Sequence, residues 1–342
     1  HQTSFQLQFN ETFSYESGTN IHQILKTREV FNLEQLNFEY SQIYDGDNDQ
    51  AMISEAFTYG LYRQAGLVVA NASYGLVYLK IGDTVVPYGF FTVVEPIDSE
   101  FLKANFKSNL ANEYGDLYKI TDVMTEGSLK TFDENLVGLD SDEARYTYSL
   151  RNNSLDGTRR TFSTLESFIN HINDPVYFND HSQDILDVDL FIRYLAIAFL
   201  AGNTDDLRYN FNNYYLYFDV YSRQATFIPF DLDASLGFGK HLDLSGNYGV
   251  SYAIDYNLDD PSPLIASIFA NETYVNLYRH YLQTFIEDFF NYDDFYLMYL
   301  EAKNLYEPLL ISQGHLGNRV FDTRNVYWYF TEKTTSVLNQ LQ

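Results

Sequence analysis

The stretch Gly202–Gly239, GNTDDLRYNFNNYYLYFDVYSRQATFIPFDLDASLGFG, decides how this chain of 342 residues is read. An acidic pair, Asp205 and Asp206, precedes an Asn pair, Asn212 and Asn213, and then the triplet Asp231-Leu232-Asp233. Two apolar runs, 213–219 and 224–230, flank the turn Val220-Tyr221-Ser222-Arg223 and read as a β-hairpin. The start of one hairpin strand lies beside the end of the next, so Asn213 falls next to Asp231 and Asp233. On a strand, residues i and i+2 share a face, so both carboxylates point one way and Leu232 points into the core. Asp-x-Asp alone is weak, because this acidic chain contains five such triplets. At the end of a strongly apolar strand, however, two carboxylates repel each other and lose hydration unless a cation compensates. Carboxylates and a carboxamide are hard oxygen donors that suit Mg²⁺ or Mn²⁺. A solvated strand end is the alternative.

Working outward, Asp184–Ala201 is apolar almost all round and reads as a buried helix, with Asp184 and Asp187 at its start and Gly202 as its C-terminal cap. Residues 67–95 read as a strand pair turning at Gly82-Asp83, and alternation within 3–40 (Ser4–Phe9, Glu29–Leu33) predicts further strands. Helices are expected at 52–64 and 98–107, and a strand at 116–120. Residues 121–183 are polar and irregular, with one helix near 163–172, and read as the crossing between two lobes. From Pro261 the pattern is helical: 261–270, 271–290, 292–306 and 321–341. The polar loop Asp45–Asp49 resembles the opening of a calcium loop. Gln50 stands where that loop needs Gly, and Glu55 closes it one residue early, so it reads as a helix-capping loop. The expected fold is α+β and two-lobed, with a sheet-rich N-terminal lobe over 1–120 and a largely helical C-terminal lobe over 121–342.

Composition narrows the partners. With 47 acidic against 21 basic residues the formal charge is −26, which opposes a nucleic-acid surface and anionic lipid and favours basic proteins and divalent cations. No apolar run approaches the ~18 residues of a membrane span. Without Cys there are neither disulfides nor Cys-based zinc sites. The abundant Tyr and Phe read as core packing. A first residue other than Met reads as a processed chain whose leader is gone, and sequons at Asn10, Asn71, Asn152 and Asn271 point the same way, to a secreted or cell-surface glycoprotein. HExxH, Walker A, G-x-S-x-G, HRD and G-x-G-x-x-G motifs are all absent, and His241 reads as a surface loop residue.

Helix, acidic loop, strand, turn, strand, Asp is the layout of a kinase catalytic region. The motifs Asn203-Thr204-Asp205, Asn212-Asn213-Tyr214-Tyr215-Leu216-Tyr217 and Pro229-Phe230-Asp231-Leu232-Asp233 with Gly237 resemble the signature of the CotH family of spore-coat and secreted proteins, which are atypical, protein-kinase-like enzymes. A second block, Tyr88–Glu95 through Ile97-Asp98 and Phe101-Leu102 to Leu117-Tyr118-Lys119, also fits, and a weaker one runs from Ile53 to Gly66. The resemblance implies transfer of the ATP γ-phosphate to Ser or Thr of a protein in a secretory setting, with Mg²⁺ or Mn²⁺. It makes Asp205 the catalytic-loop acid, with Asp206 as the other candidate. Asn213, Asp231 and Asp233 become metal ligands, Lys119 the lysine on the nucleotide phosphates, and Glu95 its partner. Acidic charge implies a basic or Ser-rich substrate, or self-phosphorylation. The loop from Asp205 to Asn213 is about three residues longer than the compact kinase-like loop, which leaves a second reading: an inactive member serving as surface adhesin or coat-assembly protein.

Overall fold

The computed structural model describes residues 4–30, 33–40, 51–111, 113–125, 127–139, 146–152, 162–238, 261–312 and 322–342. The expected loop Asp45–Asp49 and His241 lie outside them.

The first sheet is four antiparallel strands in the order β1-β2-β4-β3, with β1 Phe5–Gln8, β2 Gln35–Glu39, β3 Ala72–Ile81 and β4 Thr84–Val94. The register sets Glu39 opposite Thr92 and Tyr74 opposite Thr92, so these three share one face. Helix α2 (Ser54–Gln64) packs on this sheet and is buried along most of its length. It follows a short helix α1 (Asn20–Lys26), capped by the Thr19 hydroxyl on His22 N–H, which the sequence pattern did not predict. Of the strand expected over Glu29–Leu33, the described residues form only a single bridge between Val30 and Leu33. Helix α3 (Ser99–Asn105) starts at Asp98, whose carboxylate accepts from the N–H groups of Glu100 and Phe101.

The second sheet has the order β6-β7-β5-β8-β9: β5 Leu117–Ile120, β6 Val137–Leu139, β7 Tyr148–Leu150, β8 Tyr214–Phe218 and β9 Ala225–Pro229. The stretch 121–183, expected to be irregular but for one helix, contributes β6 and β7 to this sheet. It also forms α4 (Ser163–Ile172) and α5 (Pro175–Ile185). Three-residue strands are too short to show alternation. Strand β5, expected at the end of the first lobe, pairs with β7 and β8 in the second sheet.

Helix α6 (Val188–Ala201) forms the centre of the core, buried from Tyr194 to Ala201. Its composition explains this: each fully buried Leu, Ile or Phe contributes about 1.5–3 kcal/mol. Asp187 caps it by accepting from Leu190 N–H at 3.0 Å. Asp184, expected at its start, belongs to the preceding helix α5. Gly202 ends α6 in the left-handed region at φ 68°. Helices α7 (Pro263–Phe269), α8 (Glu272–Asp288), α9 (Tyr292–Ser312) and α10 (Arg324–Leu341) complete the helical part; α8 packs on α6, and α10 on α8 and α9.

Candidate active site

The loop from Gly202 to Asn213 is organised by its own side chains. Asn203 Oδ1 accepts from Asp205 N–H at 2.9 Å. Asp206 turns into the core against Arg208, with side chains 2% and 1% exposed. Arg208 Nε donates to both Asp206 oxygens, at 2.8 and 3.0 Å, and the guanidinium also donates to the Asn203 carbonyl. Burial raises the Asp206 pKa and the Arg208 charge opposes the rise. A carboxylate engaged in this way fixes the loop and has no open side for a substrate. Half-buried Asp205 instead gathers carboxamides. Its Oδ1 accepts from Asn210 at 2.7 Å and Asn212 at 3.3 Å, and its Oδ2 accepts from Asn213 Nδ2 at 2.9 Å. Asn212 Oδ1 in turn accepts from Asp122 N–H at 3.0 Å, tying the pair to the segment after β5.

The hairpin register sets Tyr214 opposite Pro229, which brings Asn213, just before β8, level with the residues that follow β9. Those residues are not a strand end, as the alternation argument had it, but a turn. Asp231 has φ 55°, Leu236 56° and Gly237 87°. Asp231 holds this left-handed conformation while its N–H donates to the Tyr59 hydroxyl of α2 at 3.2 Å. Leu232 still enters the core, and both Asp side chains remain half-buried. Burial lifts the Asp231 carboxyl well above the usual range, reinforced by Asp233, Glu39 and Asp205 and opposed by Lys119. Burial, with Asp205 and Glu39, pushes Asp233 up to about 7. Lys119, half-buried on β5, lies with Nζ 4.5 Å from the centre of the Phe230 ring, beside this turn.

The donor set fits a hard divalent cation. Asn213 Nδ2 is used on Asp205, leaving its carbonyl oxygen to ligate, and Asp231 and Asp233 are carboxylates whose mutual repulsion a cation would relieve. Among the described residues no three Asp, Glu or His side chains are already gathered around one point.

A family model described as CotH kinase protein matches residues 1–313. The chain belongs to this family. No curated protein matches it. The CotH match spans both sheets and the whole loop-hairpin-turn unit and ends before α10. It supports a kinase-like enzyme, a class that in general uses ATP and a divalent metal.

Within this CotH chain one expected pairing is replaced by another. Glu95, expected beside Lys119, follows β4 in the first sheet, where its Oε2 accepts from Asn71 N–H at 2.9 Å and Asn71 Nδ2 at 2.7 Å. Lys119 stands on β5 in the second sheet. Three site residues escaped sequence reasoning: Glu39, Glu55 and Tyr59. Glu55 and Tyr59 lie four apart on α2 and so share a face. The available signal was that spacing; Glu55 was read as a failed calcium-loop position and as part of the block from Ile53 to Gly66, with no role of its own.

Among the described residues no helix is long and apolar enough to cross a membrane.

Proposed function

We propose that the chain is a metal-dependent protein kinase that transfers the γ-phosphoryl group of ATP to a Ser or Thr hydroxyl. The observation that carries this reading is the Asp205–Asn213 hydrogen bond set beside the Asp231–Asp233 turn. One unit thereby presents a proton acceptor and a set of hard oxygen donors. Asp205 accepts the proton of the attacking hydroxyl as its oxygen bonds to the γ-phosphorus and the bond to the β-γ bridging oxygen breaks, leaving ADP. Asn213, Asp231 and Asp233 would hold the cation, which would neutralise charge on the phosphates. Lys119 contributes a second positive charge from β5, beside Phe230. The substrate is a basic or Ser-rich protein, in keeping with a charge of −26, or the chain itself. The secreted or cell-surface setting belongs to the same proposal and rests on the family likeness and the sequons.

Incubation with γ-labelled ATP, Mn²⁺ and a basic Ser-rich peptide tests it. Label is expected on the peptide or on the chain, and is expected to vanish in Asp205→Asn and Asp231→Ala. Label that persists in both variants overturns the assignment. A wild-type chain that neither transfers label nor gains thermal stability from Mn²⁺ and ATP supports the non-catalytic adhesin or coat-assembly reading.

A further inference from the structure

Helix α2 presents a carboxyl group that the proposed reaction has not used. Glu55 is 3% exposed, and neither of its oxygens meets a donor at hydrogen-bonding distance, although the Thr92 hydroxyl on β4 is near enough to favour its charged form. Leaving a buried acid in this state costs several kcal/mol unless a cation or a proton compensates. Its direction is fixed by its neighbour on the helix. Tyr59, one turn further on, reaches the Asp231 N–H with its hydroxyl. Glu55 and Tyr59 lie on one face of α2, so that face looks onto the Asp231–Asp233 turn. The charges acting most strongly on Glu55 are accordingly Asp233 and Asp231, followed by Glu39 on β2. Carboxylates from α2, β2, the loop and the turn thus act on one another around the Asp231–Asp233 turn.

From this placement we infer that Glu55 is a further cation-binding residue, supplied by α2 to complete the site of Asn213, Asp231 and Asp233 for a divalent metal ion such as Mn²⁺ or Mg²⁺. The inference rests on the metal-dependent reading above. Loading the site requires an approach of α2 and the turn, because no three acidic or histidine side chains among the described residues are yet gathered around one point. Attraction of both to a shared cation drives that approach. A longer carboxylate arm from a helix also suits the cation's need for several oxygen ligands, which the two Asp and one Asn fill only in part.

The test is Mn²⁺ binding to the full chain without nucleotide, followed by electron paramagnetic resonance or calorimetry. Glu55→Gln keeps the size and removes the charge. We expect it to weaken Mn²⁺ binding at least about tenfold, the usual scale for losing a group that supports a metal site, with the metal-free unfolding midpoint unchanged or raised. Equal Mn²⁺ affinity in folded Glu55→Gln overturns the inference. So does a defect confined to ATP binding, which would assign Glu55 to a lysine instead. Should Glu55→Gln fail to fold, Glu55→Asp decides: the shortened arm weakens Mn²⁺ binding if Glu55 ligates, and unchanged affinity overturns the idea. A wild-type chain that binds no Mn²⁺ overturns the metal-dependent reading together with this inference, whereas wild-type binding with an unaffected variant overturns the inference alone.

Discussion

Asn213 Nδ2 donates to Asp205 Oδ2, eight positions earlier in the chain, at 2.9 Å. The loop is longer than a compact kinase-like one, yet its ends meet, because the extra residues are spent on the inward Asp206–Arg208 pair and on the Asn210 and Asn212 carboxamides. The two neighbouring acids therefore do different work.

That division predicts opposite phenotypes. Asp205→Asn should stay folded at a modest cost, since one of the oxygens that accept from Asn210, Asn212 and Asn213 becomes a donor, and lose phosphoryl transfer by about 10²–10⁴-fold, the range for a positioned general base. Asp206→Asn strands the Arg208 guanidinium in the core and should cost about 3–5 kcal/mol, the scale for breaking a buried ion pair. Urea unfolding and initial transfer rates separate the two effects. Stable, inactive Asp206→Asn beside active Asp205→Asn would reverse the assignment of the base.

The carboxylate cluster predicts an inverted pH profile. Asp233 has a folded pKa of about 7 against an ordinary value of 3.8. Between these values the folded chain holds a proton that the unfolded chain has lost. By linkage, the stability this group contributes is fully present below about 3.8 and is lost as pH rises to about 7. Burial and the other carboxylates raise Asp231 and Glu55 as well, so they act in the same direction. The metal-free unfolding midpoint should therefore fall on going from pH 5 to pH 7. Mn²⁺ should reverse this with release of protons, and Asp233→Asn should flatten the slope. Metal-free stability that climbs with pH through this window would argue against the cluster.

Lys119 offers a sharper test of the nucleotide side. Its ammonium group lies over the Phe230 ring and favours the charged form of Asp231, against the upward push of burial. Lys119→Met keeps an apolar chain on Phe230 and removes the cation. The Michaelis constant for ATP should rise by about tenfold or more while nucleotide-free Mn²⁺ binding is unchanged or tightened. Glu95→Gln should leave ATP kinetics unaffected and loosen the Asn71 contact, seen as a modest loss of thermal stability. An ATP defect in Glu95→Gln as large as that of Lys119→Met would restore the pairing first expected from sequence.

The hairpin and its register were legible because Asn-Asn-Tyr-Tyr-Leu-Tyr and Ala-Thr-Phe-Ile-Pro-Phe are apolar runs at hairpin spacing, and the buried helix before them because nearly every position is apolar. The turn at Asp231 was not legible. Nothing in Asp-Leu-Asp announces a positive φ, which is held here by a hydroxyl 172 residues away in sequence. Glu55 and Glu39 were hidden for the same reason, since a lone acid joins a cluster only once the tertiary fold places α2 and β2 against the turn. The Asn71 contact of Glu95 was not legible either, because a strand-end acid carries no mark of its partner.

The C-terminal helix, beyond the CotH match, should matter to the site. Tyr329 on α10 donates its hydroxyl to the Leu200 carbonyl at 2.9 Å, at the end of α6. A Cβ built on Gly202 would fall 1.9 Å from that hydroxyl, and one on Gly237 would fall 3.3 Å from the Tyr329 ring. One side chain thus packs against both glycines that bracket the loop, the hairpin and the turn. Gly202→Ala combines a left-handed backbone, at about 1–2 kcal/mol, with displacement of Tyr329, at about 1–3 kcal/mol. It should therefore destabilise far more than Tyr329→Phe, which removes one hydrogen bond worth about 0.5–1.5 kcal/mol. A chain ending at residue 321 should lose cooperative unfolding and Mn²⁺ binding together. If it keeps the full chain's unfolding midpoint and Mn²⁺ affinity, α10 is an appendage and the two glycines are held by the loop alone.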